Sequence, residues 1–257
     1  MGRKVRVYKE NEKEFLKDFD KLCVTRSTWQ VWQDFVTLSA CSISNTIEPR
    51  DDVRKAREKE YLSVSKRYNP EELNVMCRLL ADTVEAFEKE PGQDYLGELY
   101  MNLNLGQNQK GQFFTPWNIS LCMAKMISGN LSNEIERQGF FNVNDPTCGA
   151  GCLLIAYAYT ARFDQKINYQ ERGIFVGIDI DPLAAKMCYI QLSLLGCPGY
   201  VFVGNSLVES FGSNILLPEV KNEEDIWYTP MYYRLLGAVI GDNSEENTEN
   251  QNQDDIA

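Results

Sequence analysis

Asp145-Pro146-Thr147-Cys148-Gly149-Ala150-Gly151 is the stretch from which this chain is read. A short alternating segment, Phe141-Asn142-Val143-Asn144-Asp145, leads into it as a strand, and Leu153 to Ala161 leaves it as a helix. Gly149 and Gly151 let the backbone approach a ligand closely, where a side chain would collide. The helix behind them presents free N–H groups. By itself such a turn fits a ligand-free tight turn as well as a nucleotide site. Ile174 to Asp179 is a second strand, apolar enough for burial on both faces. Pro182 to Leu195 is the next helix, and Tyr200 to Val203 a third strand. The alternation predicts an α/β fold with a parallel sheet and right-handed crossovers.

Asp179 ends the second strand, 34 residues after Asp145, a spacing that fits one turn, one helix and one strand. There its carboxylate can accept hydrogen bonds from the ribose hydroxyls of an adenosine-containing ligand. Asp181 before Pro182 reads as a helix cap with proline at the first position. The third strand ends in Gly204-Asn205-Ser206-Leu207, where Asn205 serves an adenine edge or is a plain turn residue. Upstream, Gly111-Gln112-Phe113-Phe114-Thr115-Pro116 places Thr115-Pro116 as cap and first position of a helix over Asn118–Ile127. The two phenylalanines either shelter a ligand or pack into the core.

The first hundred residues read as helices. Trp32, Phe35, Val36, Ser39, Ala40, Ile43 and Ile47 mark one helical face. Asp51 to Tyr68 is charged and reads as a solvated helix. Asn69-Pro70-Glu71-Glu72 is a strong start for the next, with an Asn cap, Pro at the first position and Glu at the third, and Pro91-Gly92 stops it.

In this order the motifs resemble the N6-adenine DNA methylase family, which includes the modification subunits of type I restriction-modification systems. The resemblance is carried by Gly111–Pro116, Asp145–Gly151, Gly177–Asp179 and Gly204–Leu207, with Ala150 where Ser or Thr is usual. The helical Leu96-Gly97-Glu98-Leu99-Tyr100 belongs to the same pattern, so the likeness covers roughly residues 30–207. It implies a Rossmann-like S-adenosylmethionine-dependent methyltransferase fold with a partial parallel sheet, preceded by an α-helical N-terminal region. The cofactor implied is S-adenosylmethionine. Phe114, Thr115 and Pro116 would contact its methionine part, and Asp145, Thr147, Gly149 and Gly151 would line its amino-acid and sulfonium region. Asp179 would take the ribose and Asn205 the adenine. The activity implied is DNA adenine-N6 methylation.

One family feature is missing. After the fourth strand these enzymes carry Asn/Asp-Pro-Pro-Tyr/Phe, which holds the target amino group and stacks on a flipped base. No Pro-Pro occurs in the chain, so no catalytic residue is assigned. Trp227, Tyr228, Tyr232 and Tyr233 either stack a base or pack on the core. A module that binds the cofactor or a protein partner without catalysis is therefore the alternative. The sequence divides into a helical region, 1–110, a methyltransferase domain, 111–241, and a polar acidic tail, 242–257, expected to be disordered. Residues 141–241 leave room for three strand–helix units and one more strand near Leu236–Ile240. A complete methyltransferase sheet has more, so the first strand is expected to be an open edge. Its cover would be Ile226–Ile240, the N-terminal helices, a partner chain or a second copy.

Composition excludes several classes. With no histidine among 257 residues there is no Ser-His-Asp triad, no histidine base and no HExxH site. Eight cysteines without a Cys-x-x-Cys pair point to reduced thiols rather than a metal site. No apolar run approaches the ~20 residues that span a bilayer, and no signal peptide opens the chain, so a cytoplasmic protein is expected. The net charge of −11 opposes a solitary grip on DNA. Residues 1–70, however, hold fifteen basic against eleven acidic residues. DNA is expected as a partner with help from another subunit.

Overall fold

The structure, a computed structural model, describes residues 10–105, 113–209, 212 and 214–237. Gly111, Gln112, residues 238–241 and the acidic tail lie outside them.

Among the described residues, five helices come first: α1 Glu10–Leu22, α2 Thr28–Asn45, α3 Asp51–Ser65, α4 Pro70–Lys89 and α5 Tyr95–Asn102. The Asn69-Pro70-Glu71-Glu72 signal behaves as read. Asn69 accepts the Glu72 N–H, and the Glu72 side chain accepts the Asn69 N–H. Next come α6 Trp117–Ile127 and α7 Leu131–Gln138, and then the sheet units. These are β1 Phe141–Asp145, α8 Cys152–Tyr159, α9 Tyr169–Arg172, β2 Gly173–Asp179, α10 Pro182–Leu194, β3 Gly199–Val203 and β4 Ile226–Tyr228. Residues 230–237 are helical.

Strand order is β1-β2-β3-β4. The first three strands are parallel, with Asp145 opposite Gly177 and Asp179 opposite Val203. α8 packs on β1 and β2, and α10 on β2 and β3. The expected α/β arrangement behind an α-helical region is thus present. A core running from Phe15 to Trp227 joins the N-terminal helices to one sheet face. Ile174, Val176, Ile178, Tyr200 and Phe202 form a second core on the other face, with Ile226 and Tyr232.

Four details differ from the sequence expectations. Thr115 does not cap α6, because Pro116 occupies the cap position with extended backbone and makes no side-chain cap bond. The helix after the glycine turn changes to π-helical pitch over Thr160–Asp164 instead of ending at Ala161. No strand forms at residues 236 and 237, which are helical; the extra strand is β4, antiparallel to β3. Ile226–Tyr228 therefore covers β3 and leaves the far edge of β1 without a strand among the described residues.

α3 is also less solvated than its charge suggests. Arg57 is buried, pairs with Glu48 at 2.9 Å, donates to the Ile226 carbonyl at 2.7 Å and lies 3.9 Å above the Trp227 ring. Arg50 also pairs with Glu48, at 2.7 Å, and contacts Glu223. The aromatic cluster packs on the core, with Trp227 against Tyr189 and Tyr228 stacked on Tyr232 at 4.4 Å. Glu48 is the single acid between two guanidiniums, and its carboxyl is held below the ordinary range by its bonds to Arg50, despite burial. Removing it strands a buried charge. Glu48→Ala should lower unfolding free energy by about 3 kcal/mol or more, and Glu48→Gln by less, in urea titrations. An effect below about 1 kcal/mol would contradict the arrangement.

Candidate functional site

Asp179 organises the C-terminal ends of the strands. Its Oδ2 accepts the Gly149 N–H at 2.8 Å, and its Oδ1 accepts the Asp181 N–H at 2.8 Å. Its main-chain carbonyl accepts the Gly204 N–H at 3.0 Å, and the neighbouring Ile178 carbonyl accepts the Cys148 N–H at 2.8 Å. The glycine turn, the end of β2 and the end of β3 are thereby held together. Asp181 caps α10 by accepting the Leu183 N–H, as read from Asp-Pro.

Asp145 faces the same place. Its Oδ1 accepts the Thr147 N–H at 3.1 Å. Burial raises its pKa, against the Thr147 bond, and the negative charge of Asp179 raises it further. Asp145 and Asp179 are both largely buried, and the two Asp179 oxygens are already taken by backbone amides.

A cavity of ≈ 170 Å³ opens here. Among the sequence-predicted residues it is lined by Phe114, Thr115, Asp145, Thr147 and Gly149. Pro116 lines a neighbouring cavity of ≈ 350 Å³ together with Phe114 and Thr115. Gly151 lies behind the turn, and Asn205 stands at the end of β3. The Asn205 side-chain oxygen already accepts the Leu207 N–H at 3.0 Å, so the amide NH₂ is the part left to meet a ligand.

The fold itself requires both glycines. Both have left-handed backbone, at φ 54° for Gly149 and 98° for Gly151. A Cβ on Gly149 would come within 2.9 Å of the Phe114 ring, and one on Gly151 within 2.8 Å of Cys188 Sγ. The protein's own packing excludes side chains there. Phe114 is in turn backed by Tyr100 at 5.0 Å between ring centroids, and Tyr100 is buried. That fixes the Phe-Phe-Thr-Pro segment over the turn.

Residues that sequence reasoning missed complete the wall. Ser120 and Met123 of α6 line the cavity, hidden within an ordinary helical pattern. Ile180 is 71% exposed beside Asp179, an unusual position for an isoleucine. Gln191 is fully buried. Its Nε2 donates to Asp94 Oδ1 and to the Ala150 carbonyl, each at 2.8 Å, and its Oε1 accepts the Leu96 N–H at 3.0 Å. This side chain fastens the start of α5 to the glycine turn. No cluster able to hold a metal ion occurs among the described residues, and all eight cysteines are unbridged, five of them buried.

With this geometry in view, the chain can be compared with known proteins. Residues 92–213 match the N-6 DNA Methylase family model. The methylase-like segment contains the glycine turn, Asp179, Asn205 and Gln191, so the resemblance carried by the motifs holds across the crevice. A solved Listeria monocytogenes protein, described as a candidate class I S-adenosylmethionine-dependent methyltransferase, aligns at 15% identity and a TM-score of 0.46. The alignment covers 88% of this chain and 69% of that one. No match to a curated protein is found. No described helix is long and apolar enough to cross a membrane.

Two outcomes follow for the methylase-like segment. Gly151→Ala should cost about 2 kcal/mol in unfolding free energy through strain and the Cys188 contact, measured by urea denaturation. Asp94 is buried and its pKa is pushed up to about 6 by that burial. The folded state therefore keeps a proton that the unfolded chain has already lost. Its stabilising contribution is full below the ordinary aspartate range and is lost as pH rises to and through about 6. Relative to Asp94→Asn, the natural protein should lose up to about 3 kcal/mol between roughly pH 4 and pH 7. A gap independent of pH would show that Asp94 is not the group responsible.

Proposed function

We propose that this chain binds S-adenosylmethionine in the crevice between the glycine turn and Asp179, and serves methylation of the adenine amino group in DNA. The observation that carries the cofactor reading is the Asp179–Gly149 hydrogen bond, which sets a carboxylate and a strand-to-helix turn on one crevice. The lining of the crevice supports this reading for one end of the ligand. A cavity of ≈ 170 Å³ suits the methionine end, with Asp145 and Thr147 on its wall. The Asp145 carboxyl suits the ammonium charge. Beyond it, Asp179 and the exposed Ile180 suit a ribose and an apolar ring face. When bound, the cofactor supplies an electrophilic methyl group. The residues of this chain orient it: Asp145 and Thr147 at the amino-acid end, Phe114 over the turn, Asp179 at the sugar, and the Asn205 amide near the base.

The choice of adenine and of DNA rests on the family match and on the Phe-Phe-Thr-Pro segment. The missing Asn/Asp-Pro-Pro-Tyr/Phe tetrapeptide favours a second reading, in which this chain holds the cofactor and another chain, or none, presents the base. DNA binding would then draw on a basic partner, consistent with the net charge of −11.

Isothermal titration with S-adenosylmethionine and S-adenosylhomocysteine tests the shared claim. Binding should be saturable, and Asp179→Ala should weaken it at least about tenfold. No heat with either ligand would defeat the proposal. Transfer of tritiated methyl to adenine-containing DNA then separates the readings. Incorporation by the chain alone supports the enzyme, and binding without incorporation supports the cofactor-holding module.

A further inference from the structure

The loop that follows β3 closes on itself. The Asn205 carbonyl accepts the Val208 and Glu209 N–H groups at 3.1 and 3.0 Å, and the Asn205 side-chain oxygen accepts the Leu207 N–H. Glu209 then folds back, and its Oε1 accepts the Asn205 N–H at 2.9 Å. Gly204 leaves room for that carboxylate, since a Cβ there would stand 2.8 Å from Oε1. The same Gly204 donates its N–H to the Asp179 carbonyl at 3.0 Å. The Glu209 carboxylate therefore lies beside the point where the end of β3 is tied to the end of β2.

Around this point stand apolar side chains that the fold does not bury. Ile180, Leu207 and Val208 are 71, 92 and 73% exposed. Ile180 follows Asp179 at the end of β2, and the other two belong to the loop after β3. Apolar groups on adjacent loops, at the C-terminal ends of parallel strands, suit the faces of a flat ring.

Such a ring is identified by its edge. Adenine presents an amino donor next to a ring-nitrogen acceptor, and reading that edge takes one acceptor and one donor. Asn205 supplies only the donor. Its side-chain oxygen and its N–H are spent within the loop, and its NH₂ group cannot accept. The charged acceptor on this loop is Glu209, which is half-buried. Closing the loop uses its Oε1 alone. Its Oε2 takes no hydrogen bond, and no Lys or Arg pairs with it, among the described residues. A carboxylate oxygen is the stronger kind of acceptor for an amino group.

We infer that Glu209 reads the amino group of the cofactor's adenine, while the Asn205 NH₂ donates to the ring nitrogen beside it. The inference rests on the cofactor reading above and makes Glu209 a specificity residue for that ligand. Hypoxanthine carries an oxygen in place of the amino group and a hydrogen on the neighbouring nitrogen. Against it, acceptor would meet acceptor and donor would meet donor.

Titration calorimetry with S-adenosylhomocysteine and S-inosylhomocysteine tests it. The natural protein should bind the adenosyl ligand at least about tenfold more tightly than the inosyl one. Glu209→Gln keeps an oxygen for the Asn205 N–H and puts an NH₂ group in place of the second carboxylate oxygen. It should cut that preference at least about fivefold. Asp179→Ala addresses the ribose that both ligands share, so it should weaken both and leave the preference unchanged. Melting curves check that each variant folds. Equal binding of the two ligands by the natural protein overturns the inference. So does a preference that Glu209→Gln leaves intact, which would make Glu209 a loop staple alone. In both of these cases the cofactor reading stands. Binding of neither ligand removes that reading, and the inference with it.

Discussion

Asp179 occupies the point at which three strand ends must be fixed relative to one another. Its two carboxylate oxygens take amides from the glycine turn and from the start of α10, and its main chain takes one from the end of β3. A parallel sheet leaves its strand ends as separate loops, and nothing in the ladder alone sets their mutual position. Charge-assisted bonds from a carboxylate to backbone N–H groups do so at short range and with direction. The crevice exists because these loops are fastened, and Asp145, Thr147 and Phe114 face a common space as a result.

The fastening extends outward through two uncharged side chains. Gln191 links α10, the glycine turn and the start of α5 with a single carboxamide, and Tyr100 backs the ring that lies over Gly149. The helical region thus shapes the crevice from behind. A buried amide suits this task, since it donates and accepts at once and carries no charge to desolvate.

Much of this was legible in the residues. The strands at Phe141, Ile174 and Tyr200 declared themselves through alternation or apolar runs, and Asn69-Pro70 and Asp181-Pro182 marked helix starts that local chemistry enforces. Local signals failed where distant contacts decided. Thr115-Pro116 looks like a cap pair, yet the cap position falls one residue later. Glycines at 149 and 151 also answer to packing that no local signal reveals, since a Cβ there would meet Phe114 and Cys188. β4 has only three residues, too few for a periodic signal, and its place beside β3 is set by the Arg57 and Trp227 contacts. Ser120, Met123 and Gln191 reach the site from helices whose spacing reveals only that they are buried or apolar.

The contact between Arg57 and Trp227 bears on how such a chain can diverge. α3 and β4 are far apart in sequence, yet an arginine of one bonds a carbonyl of the other and lies on its indole. The helical region is consequently no interchangeable module. Grafting it from a relative would leave the indole uncovered and the carbonyl unmet unless β4 travelled with it. Recombination within this lineage is therefore expected to keep α3 and β4 together.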